Sequence, residues 1–131
     1  MTKRANATLR SAWAQSLIDA LGASHKIKFY NGTPPASTAA AISGPALLAT
    51  LTADATPGSV ASGVLTFDVA NYTQSNAAHV AGTPTWVSLT TSADVRVYEL
   101  AIPADGMTFT GAIQNLVDIA RTAWTWTAPD A

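Results

Sequence analysis

Alternating segments separated by turn-forming residues constrain the fold of this chain more than any other feature of the sequence. Every second residue is apolar in segments such as 26–30, KIKFY, and 64–69, VLTFDV, and this period is typical of a strand with one buried face. Glycine and proline pairs that favour turns recur between such segments, at Asn31-Gly32, Pro34-Pro35 and Asp105-Gly106. The pattern predicts a mostly β fold.

The rest of the chain adds further short strands, which we predict at 46–53, 85–91, 94–102, 107–111 and 119–129. The short SAD segment after residue 91 predicts a hairpin between its two flanking strands. We interpret 56–63 as a turn-rich link and 70–84 as irregular, with a strand beginning at 79–82 as an alternative. Many short strands with frequent turns are typical of an antiparallel β-sandwich or a jelly-roll-like fold.

Residues 6–21 have the apolar spacing of one N-terminal α-helix. Leucine or tryptophan recurs every four residues with alanines beside it, at Leu9, Trp13, Leu17 and Leu21 with Ala12 and Ala20. Asn6 or Thr8 is suited to cap the start, and Gly22 is suited to end the helix in a left-handed conformation. This apolar stripe packs either on the protein's own sheet or on a neighbouring subunit.

Length and composition indicate one small domain that works against neighbours. The 131 residues suit a single domain, with an arm and helix at 1–22 and a β-sandwich at 26–131. Only 11% of the residues are charged, whereas an average soluble domain has about 25%. A low-charge surface rich in Thr, Ser and Ala favours a structural protein over a freely diffusing enzyme.

Charge is unevenly distributed, although the formal net charge of −1 gives no overall field that would attract nucleic acid. Most basic residues lie near the N-terminus: Lys3, Arg4, Arg10, Lys26 and Lys28. They form either a basic arm that docks on an acidic partner or a solvated terminus. No run of 18 or more apolar residues occurs, so we expect no membrane span and no membrane partner.

No catalytic, cofactor-binding or metal-binding constellation stands out. The chain has no cysteine, which excludes disulfides and thiolate chemistry. His25 and His79 have no metal-ligand spacing, and we expect both to be surface or loop residues. Glu99 lies beside Arg96, where a charge pair on a solvated sheet face is expected. No GxSxG motif marks a nucleophile, and we predict that the protein is not an enzyme.

Trp124 and Trp126 lie two residues apart in a predicted strand. Residues at this spacing share one face of a strand, so two interpretations stay open. The indoles form either an exposed platform for stacking sugars or bases, or a buried part of the sandwich or of a subunit interface.

The order of segments along the whole chain resembles a family of small virion proteins encoded by tailed bacteriophages and prophages. The resemblance is carried by LRSAWAQSLIDAL at 9–21, KIKFYNGTPPAS at 26–37, ALLATL at 46–51, GVLTFDV at 63–69, GTPTWVSLTT at 82–91 and TAWTWTAP at 122–129. It is a resemblance of arrangement, and none of these segments is specific for a chemical reaction.

The resemblance implies a virion structural protein that decorates or cements a phage capsid by bridging neighbouring capsid subunits. Such proteins are usually trimers, so the expected partners are further copies of the chain and the major capsid protein or other virion proteins, with no cofactor and no nucleic acid. A tail, neck or fibre protein and a carbohydrate-binding module are the alternatives. The protein would be made in the bacterial cytoplasm and end in the virion. The candidate partner contacts are Lys3, Arg4, Arg10, Trp13, Lys26, Lys28, Trp124 and Trp126.

Overall fold

The computed structural model describes residues 4–54, 58–67, 72–102, 113 and 124–127. The elements in this part of the chain are α1 (Ala7–Leu21), β1 (Lys26–Tyr30), β2 (Leu47–Ala53), β3 (Gly58–Ala61), β4 (Val64–Phe67), β5 (Tyr72–Gln74), a 3-10 turn (Asn76–Ala78), β6 (Trp86–Thr90), β7 (Arg96–Ala101) and β8 (Trp124–Thr127).

The strands form two antiparallel sheets. One sheet has the order β5-β2-β1-β6-β7, and the other has the order β3-β4-β8. A cluster of buried apolar side chains joins α1, the larger sheet and β4. This arrangement confirms the prediction of a mostly β, antiparallel, sandwich-like fold with one N-terminal helix.

Both ends of α1 are capped by the residues that the sequence indicates. The Asn6 side-chain oxygen accepts a hydrogen bond of 2.8 Å from the Leu9 amide, which satisfies one of the free N–H groups of the first turn. Gly22 has a φ of 73°, and its N–H donates to the Ile18 carbonyl at 3.1 Å. Its ψ of −174° differs from the left-handed helical conformation that we predicted, and this combination of φ and ψ is open essentially only to glycine.

The buried face of α1 differs from the predicted stripe. The helix buries Ala14, Leu17, Ile18 and Leu21, whereas Leu9 and Trp13 remain 45% and 42% exposed. Residues four apart drift by about 40° per step around an α-helix, so a stripe repeated every four residues winds away from the core. The C-terminal half of α1 therefore packs on the protein itself, and its N-terminal half presents an apolar pair to solvent.

β1 is the central strand of the larger sheet. Its alternation is as predicted, because Ile27 and Phe29 are completely buried in the core. The strand pairs with β2 on one side and with β6 on the other, so that Lys28 lies opposite Thr50 and opposite Ser88. The side of the sheet that carries Lys28 is its outer face.

Residues 31–46 form a loop that covers part of this outer face. The Tyr30 and Trp86 rings stack at 4.5 Å between centroids, and the Trp86 indole N–H donates to the Asn31 carbonyl at 3.0 Å. Arg96 donates from its guanidinium to the Ala40 carbonyl. As a consequence Trp86 is 1% exposed, and both faces of β6 are buried.

The link predicted at 56–63 is wrong, because this segment contains a strand. β3 pairs with β4 through a tight turn at Ser62 and Gly63, whose φ angles are 50° and 80°. Two left-handed residues in succession are typical of a two-residue hairpin turn. Gly, Ser and Ala have weak strand propensities, which explains why the strand was missed.

Other predictions have mixed outcomes. The hairpin of β6 and β7 is confirmed, with Val87 opposite Leu100. The segment predicted to be irregular at 70–84 contains β5 and the 3-10 turn. No strand begins at 79–82, where Gly82 makes an isolated bridge to Ile113. The strand predicted at 107–111 lies outside the described residues.

Replacing Gly63 by Ala should destabilise the protein by about 2–3 kcal/mol. A β-carbon is strained at the φ of 80°, and it would lie 2.7 Å from the Arg10 β-carbon. Gly44→Ala is the control, because Gly44 is exposed in the loop at 31–46, has a φ of 102° and has open space around the new atom, so its loss should be about 1 kcal/mol. Urea unfolding measures both, and equal losses would contradict the packing of α1 on this turn.

Candidate functional site

Both histidines lie in connecting segments outside the helix and the strands, which agrees with the expected loop positions, but they are buried and not at the surface. His25 and His79 are 0% and 1% exposed. The His25 Nε2 atom lies 2.6 Å from the Tyr72 hydroxyl, and its Nδ1 atom lies 3.4 Å from the Gly22 carbonyl. Because a carbonyl only accepts, Nδ1 carries the proton and Nε2 accepts from the tyrosine.

This geometry makes His25 a neutral structural residue. Burial lowers the pKa of His25, and the hydrogen bond to the Gly22 carbonyl opposes this effect only in part. The side chain connects the end of α1 with β5, since Tyr72 belongs to that strand. No sequence pattern indicated this pair, because its two members are far apart along the chain.

Charged residues form a connected group at one end of the outer face. The Lys26 and Lys28 ammonium groups lie 2.9 and 2.8 Å from the same Asp94 oxygen. Asp94 sits in the turn between β6 and β7 with a φ of 64°. Hydrogen bonds first from Lys28 and then from Lys26 lower the pKa of Asp94. Both lysines are therefore engaged within the protein and offer a partner less free positive charge than the sequence indicated.

Arg96 and Glu99 form a second ion pair on β7, at 2.8 Å. Their side chains are only 13% and 12% exposed, so the expectation of a solvated sheet face is wrong for this pair. The cause is the loop at 31–46, whose Ala40 carbonyl accepts a hydrogen bond from Arg96.

A shallow groove of about 390 Å³ lies between β2 and β5. Its lining is made of neutral side chains, among them Leu47, Thr50, Thr52, Thr73, Gln74 and Ser75. Groups of this kind contribute shape and hydrogen bonds, and they do not titrate near neutral pH. The groove is suited to contact with another molecular surface and not to acid–base chemistry.

Metal coordination finds no support in the described residues, since they contain no group of three or more His, Cys, Asp or Glu side chains placed to hold an ion. Among the residues that the structure describes, no helix is both long enough and apolar enough to cross a membrane.

The helix supplies the exposed members of the predicted contact set. Trp13 is half exposed beside Leu9, because residues four apart are neighbours on a helix. Arg4 is exposed just before α1, whereas Arg10 is only partly exposed and packs against Gly63. The exposed pair of Leu9 and Trp13 is called the helix patch below.

Three of the predicted contacts have no described side chain. Lys3 lies outside the described residues. Trp124 and Trp126 belong to β8, where the backbone register places them opposite Phe67 and Leu65. Whether these tryptophans contact a partner stays a prediction.

The chain matches no protein-family model, no curated protein and no solved structure. Functional inference therefore starts from the fold and from the surface.

The unfolding free energy should fall as the pH is lowered from about 7 to 5. Burial holds the pKa of His25 in the folded protein below the ordinary value of 6.5. As the pH is lowered, the histidine is therefore protonated at a higher pH in the unfolded chain than in the folded protein, and protonation favours the unfolded chain below about pH 6.5. Tyr72→Phe should cost about 1–3 kcal/mol at pH 7, because the His25 Nε2 atom would lose its donor.

Urea unfolding at a series of pH values tests this prediction. His25→Gln should flatten the dependence between pH 7 and 5. Asp94→Asn is the control, because the pKa of Asp94 is lowered from its ordinary 3.8. Its contribution to stability is therefore fully present at pH 5 and above and is lost only below about pH 4, so this variant should keep the slope between pH 7 and 5. A slope between pH 7 and 5 that survives His25→Gln would show that another group causes it.

Proposed function

We propose that this protein is a non-enzymatic structural subunit of a tailed-bacteriophage virion, which decorates or cements the capsid by bridging neighbouring capsid subunits. The observation that carries the proposal is the helix patch. Leu9 and Trp13 lie exposed on a helix whose other side is fixed in the core. Exposed apolar groups of this kind mark interaction sites, and tryptophan is the residue most enriched among energetic hot spots.

The charge near the helix patch favours an acidic partner surface. Arg4 is exposed just before the first turn of α1, and that turn contains no acidic residue. A positive charge in the segment that leads into α1 steers association toward a negatively charged surface. Of the basic arm expected from the sequence, the described residues show Arg4 exposed and Arg10 partly exposed.

The engagement of titratable groups supports a role without catalysis. His25 bonds to Tyr72, Asp94 to two lysines, and Glu99 to Arg96. A general acid or base has to reach a proton of the substrate, and these groups are occupied with one another instead.

The mechanism would be physical. Each copy would make a weak contact, and the symmetry of the shell would repeat that contact many times. A protein that binds the assembled lattice better than free subunits shifts the equilibrium toward the lattice. The same contacts would serve a tail, neck or fibre protein, which is why the test includes those particles.

Cosedimentation with phage shells that lack the protein tests the proposal. We expect the wild-type protein to bind expanded shells and to raise their melting temperature. Trp13→Ala should weaken binding by about 30-fold, the effect of losing a hot-spot residue worth about 2 kcal/mol. Val95→Ala is the control, because Val95 is 60% exposed in the turn between β6 and β7, and it should bind like the wild type.

Two outcomes would contradict capsid decoration, and a third would contradict the role of the helix patch. Binding to purified tails and not to shells would favour the tail, neck or fibre alternative. Binding to glycans alone would favour a carbohydrate-binding module. Equal binding of Trp13→Ala and the wild-type protein would remove the helix patch from the interface.

A further inference from the structure

The Asn31-Gly32 pair at the start of the loop at 31–46 combines a reactive side chain with an accessible backbone nitrogen. Asparagine is chemically labile on heating, and glycine has no β-carbon to keep other groups away from its nitrogen. Asn31 is partly exposed and Gly32 is exposed, so water and solvent bases reach both residues. The pair therefore has the chemistry of a deamidation site.

Deamidation at this pair needs water as its only co-reactant. The Gly32 nitrogen gives its proton to a solvent base and forms a bond with the Cγ atom of Asn31. The bond from Cγ to the side-chain nitrogen breaks, and this nitrogen takes up a proton and leaves as ammonia. Water then opens the succinimide ring at one of its two carbonyl carbons. One opening gives aspartate, and the other gives isoaspartate, in which the backbone runs through the former side chain.

The fold holds the Asn31 side chain at the neck of the loop. Its Oδ1 atom accepts a hydrogen bond of 2.7 Å from the Ala46 amide. The Asn31 amide in turn donates to the Ala46 carbonyl at 3.2 Å, so the first and last residues of the loop are joined twice. Cyclisation brings Cγ of Asn31 into bonding distance of the Gly32 nitrogen, which requires rotation of a side chain that the Ala46 amide holds in place.

The peptide group that contains the nucleophile is also fixed. The Asn31 carbonyl and the Gly32 nitrogen share one rigid plane, and this carbonyl accepts from the Trp86 indole N–H at 3.0 Å. The Gly32 carbonyl accepts from the Thr85 hydroxyl at 2.7 Å. Because Trp86 is 1% exposed, its N–H has no solvent to turn to if the peptide plane rotates. Hydrogen bonds therefore restrain both reacting groups in the closed loop.

We propose that Asn31 is a deamidation site whose reaction is controlled by opening of the loop at 31–46. The folded protein reacts through the fraction of molecules in which the neck of the loop is open. Isoaspartate lengthens the backbone between Asn31 and Gly32 by one atom, so Trp86 and Thr85 lose the spacing of the carbonyls to which they donate. Modification then loosens the loop from the outer face of the sheet. This proposal does not rest on the proposed virion role.

Peptide mass spectrometry during incubation at mildly alkaline pH tests the proposal. We expect Asn31 to deamidate at least about tenfold more slowly in the folded protein than in guanidinium, because the folded chain has to open first. Asn76 is the internal comparison, since Ala77 follows it and has a β-carbon beside the attacking nitrogen. In guanidinium Asn76 should therefore react more slowly than Asn31.

Two variants remove the restraints without changing the sequence next to Asn31. Trp86→Phe keeps a ring to stack on Tyr30 and loses the N–H donor, and Thr85→Val loses the hydroxyl donor. Each should deamidate about 3- to 10-fold faster than the wild type when folded and at the wild-type rate in guanidinium. Thr73→Val is the matched control, because its hydroxyl bonds to Thr52 and not to the loop, and it should react like the wild type.

The isoaspartate form tests the effect on the loop. It is obtained by deamidating the unfolded chain and refolding it, and we expect faster exchange of the Trp86 indole N–H with solvent deuterium, followed by NMR. Asn31→Asp is the control, because its carboxylate can still accept from the Ala46 amide and its backbone is not lengthened. This variant should keep the slow exchange of the wild type.

Circular dichroism and urea unfolding of each variant separate opening of the loop from global unfolding. Tyr72→Phe weakens the protein away from the loop, so it should leave the rate at Asn31 unchanged while the protein is folded. Equal rates at Asn31 in the folded and unfolded protein would overturn the proposal. So would wild-type rates in folded Trp86→Phe and Thr85→Val, or an isoaspartate form in which the Trp86 N–H stays as protected as in the wild type.

Discussion

The pairing of β1 with β2 and with β6 is the interaction on which the rest of the structure depends. It orients Ile27 and Phe29 toward the core and Lys26 and Lys28 toward the outer face. A slip of one residue would exchange these two sets and place two ammonium groups among apolar side chains, at a cost far above the stability of a small domain. The register of the larger sheet is therefore strongly specified, and Asp94 can reach both lysines only in that register.

The division of the surface follows from this sheet. Its inner face is used for the core, and a large part of its outer face is occupied by the loop at 31–46 and by ion pairs. Within the part of the chain that the structure describes, exposed large apolar side chains remain at the helix patch, at Leu47 and Val80, and at Val95 in the turn between β6 and β7.

The sequence predicted those features that depend on neighbouring residues. The caps at Asn6 and Gly22 and the alternation of β1 follow from local conformational preferences. Prediction from the sequence failed for features that depend on contacts between segments far apart along the chain. The burial of His25 depends on Tyr72, and the burial of Trp86 depends on the loop at 31–46. For the candidate site, the role of Trp13 as a partner contact stays a prediction, and its exposure arises from the winding of the apolar stripe away from the core, which the residue spacing alone did not indicate.

We propose that the protein acts through surface contacts made by the helix patch. Amide hydrogen exchange of the protein, free in solution and bound to phage shells, tests this proposal because it maps the contacted segments without any substitution. We expect slower exchange in the first half of α1, around Leu9 and Trp13, on binding, and unchanged exchange in β1, which the sheet already protects. Unchanged exchange throughout α1, with protection confined to the turn of Asp94 and its two lysines, would contradict it.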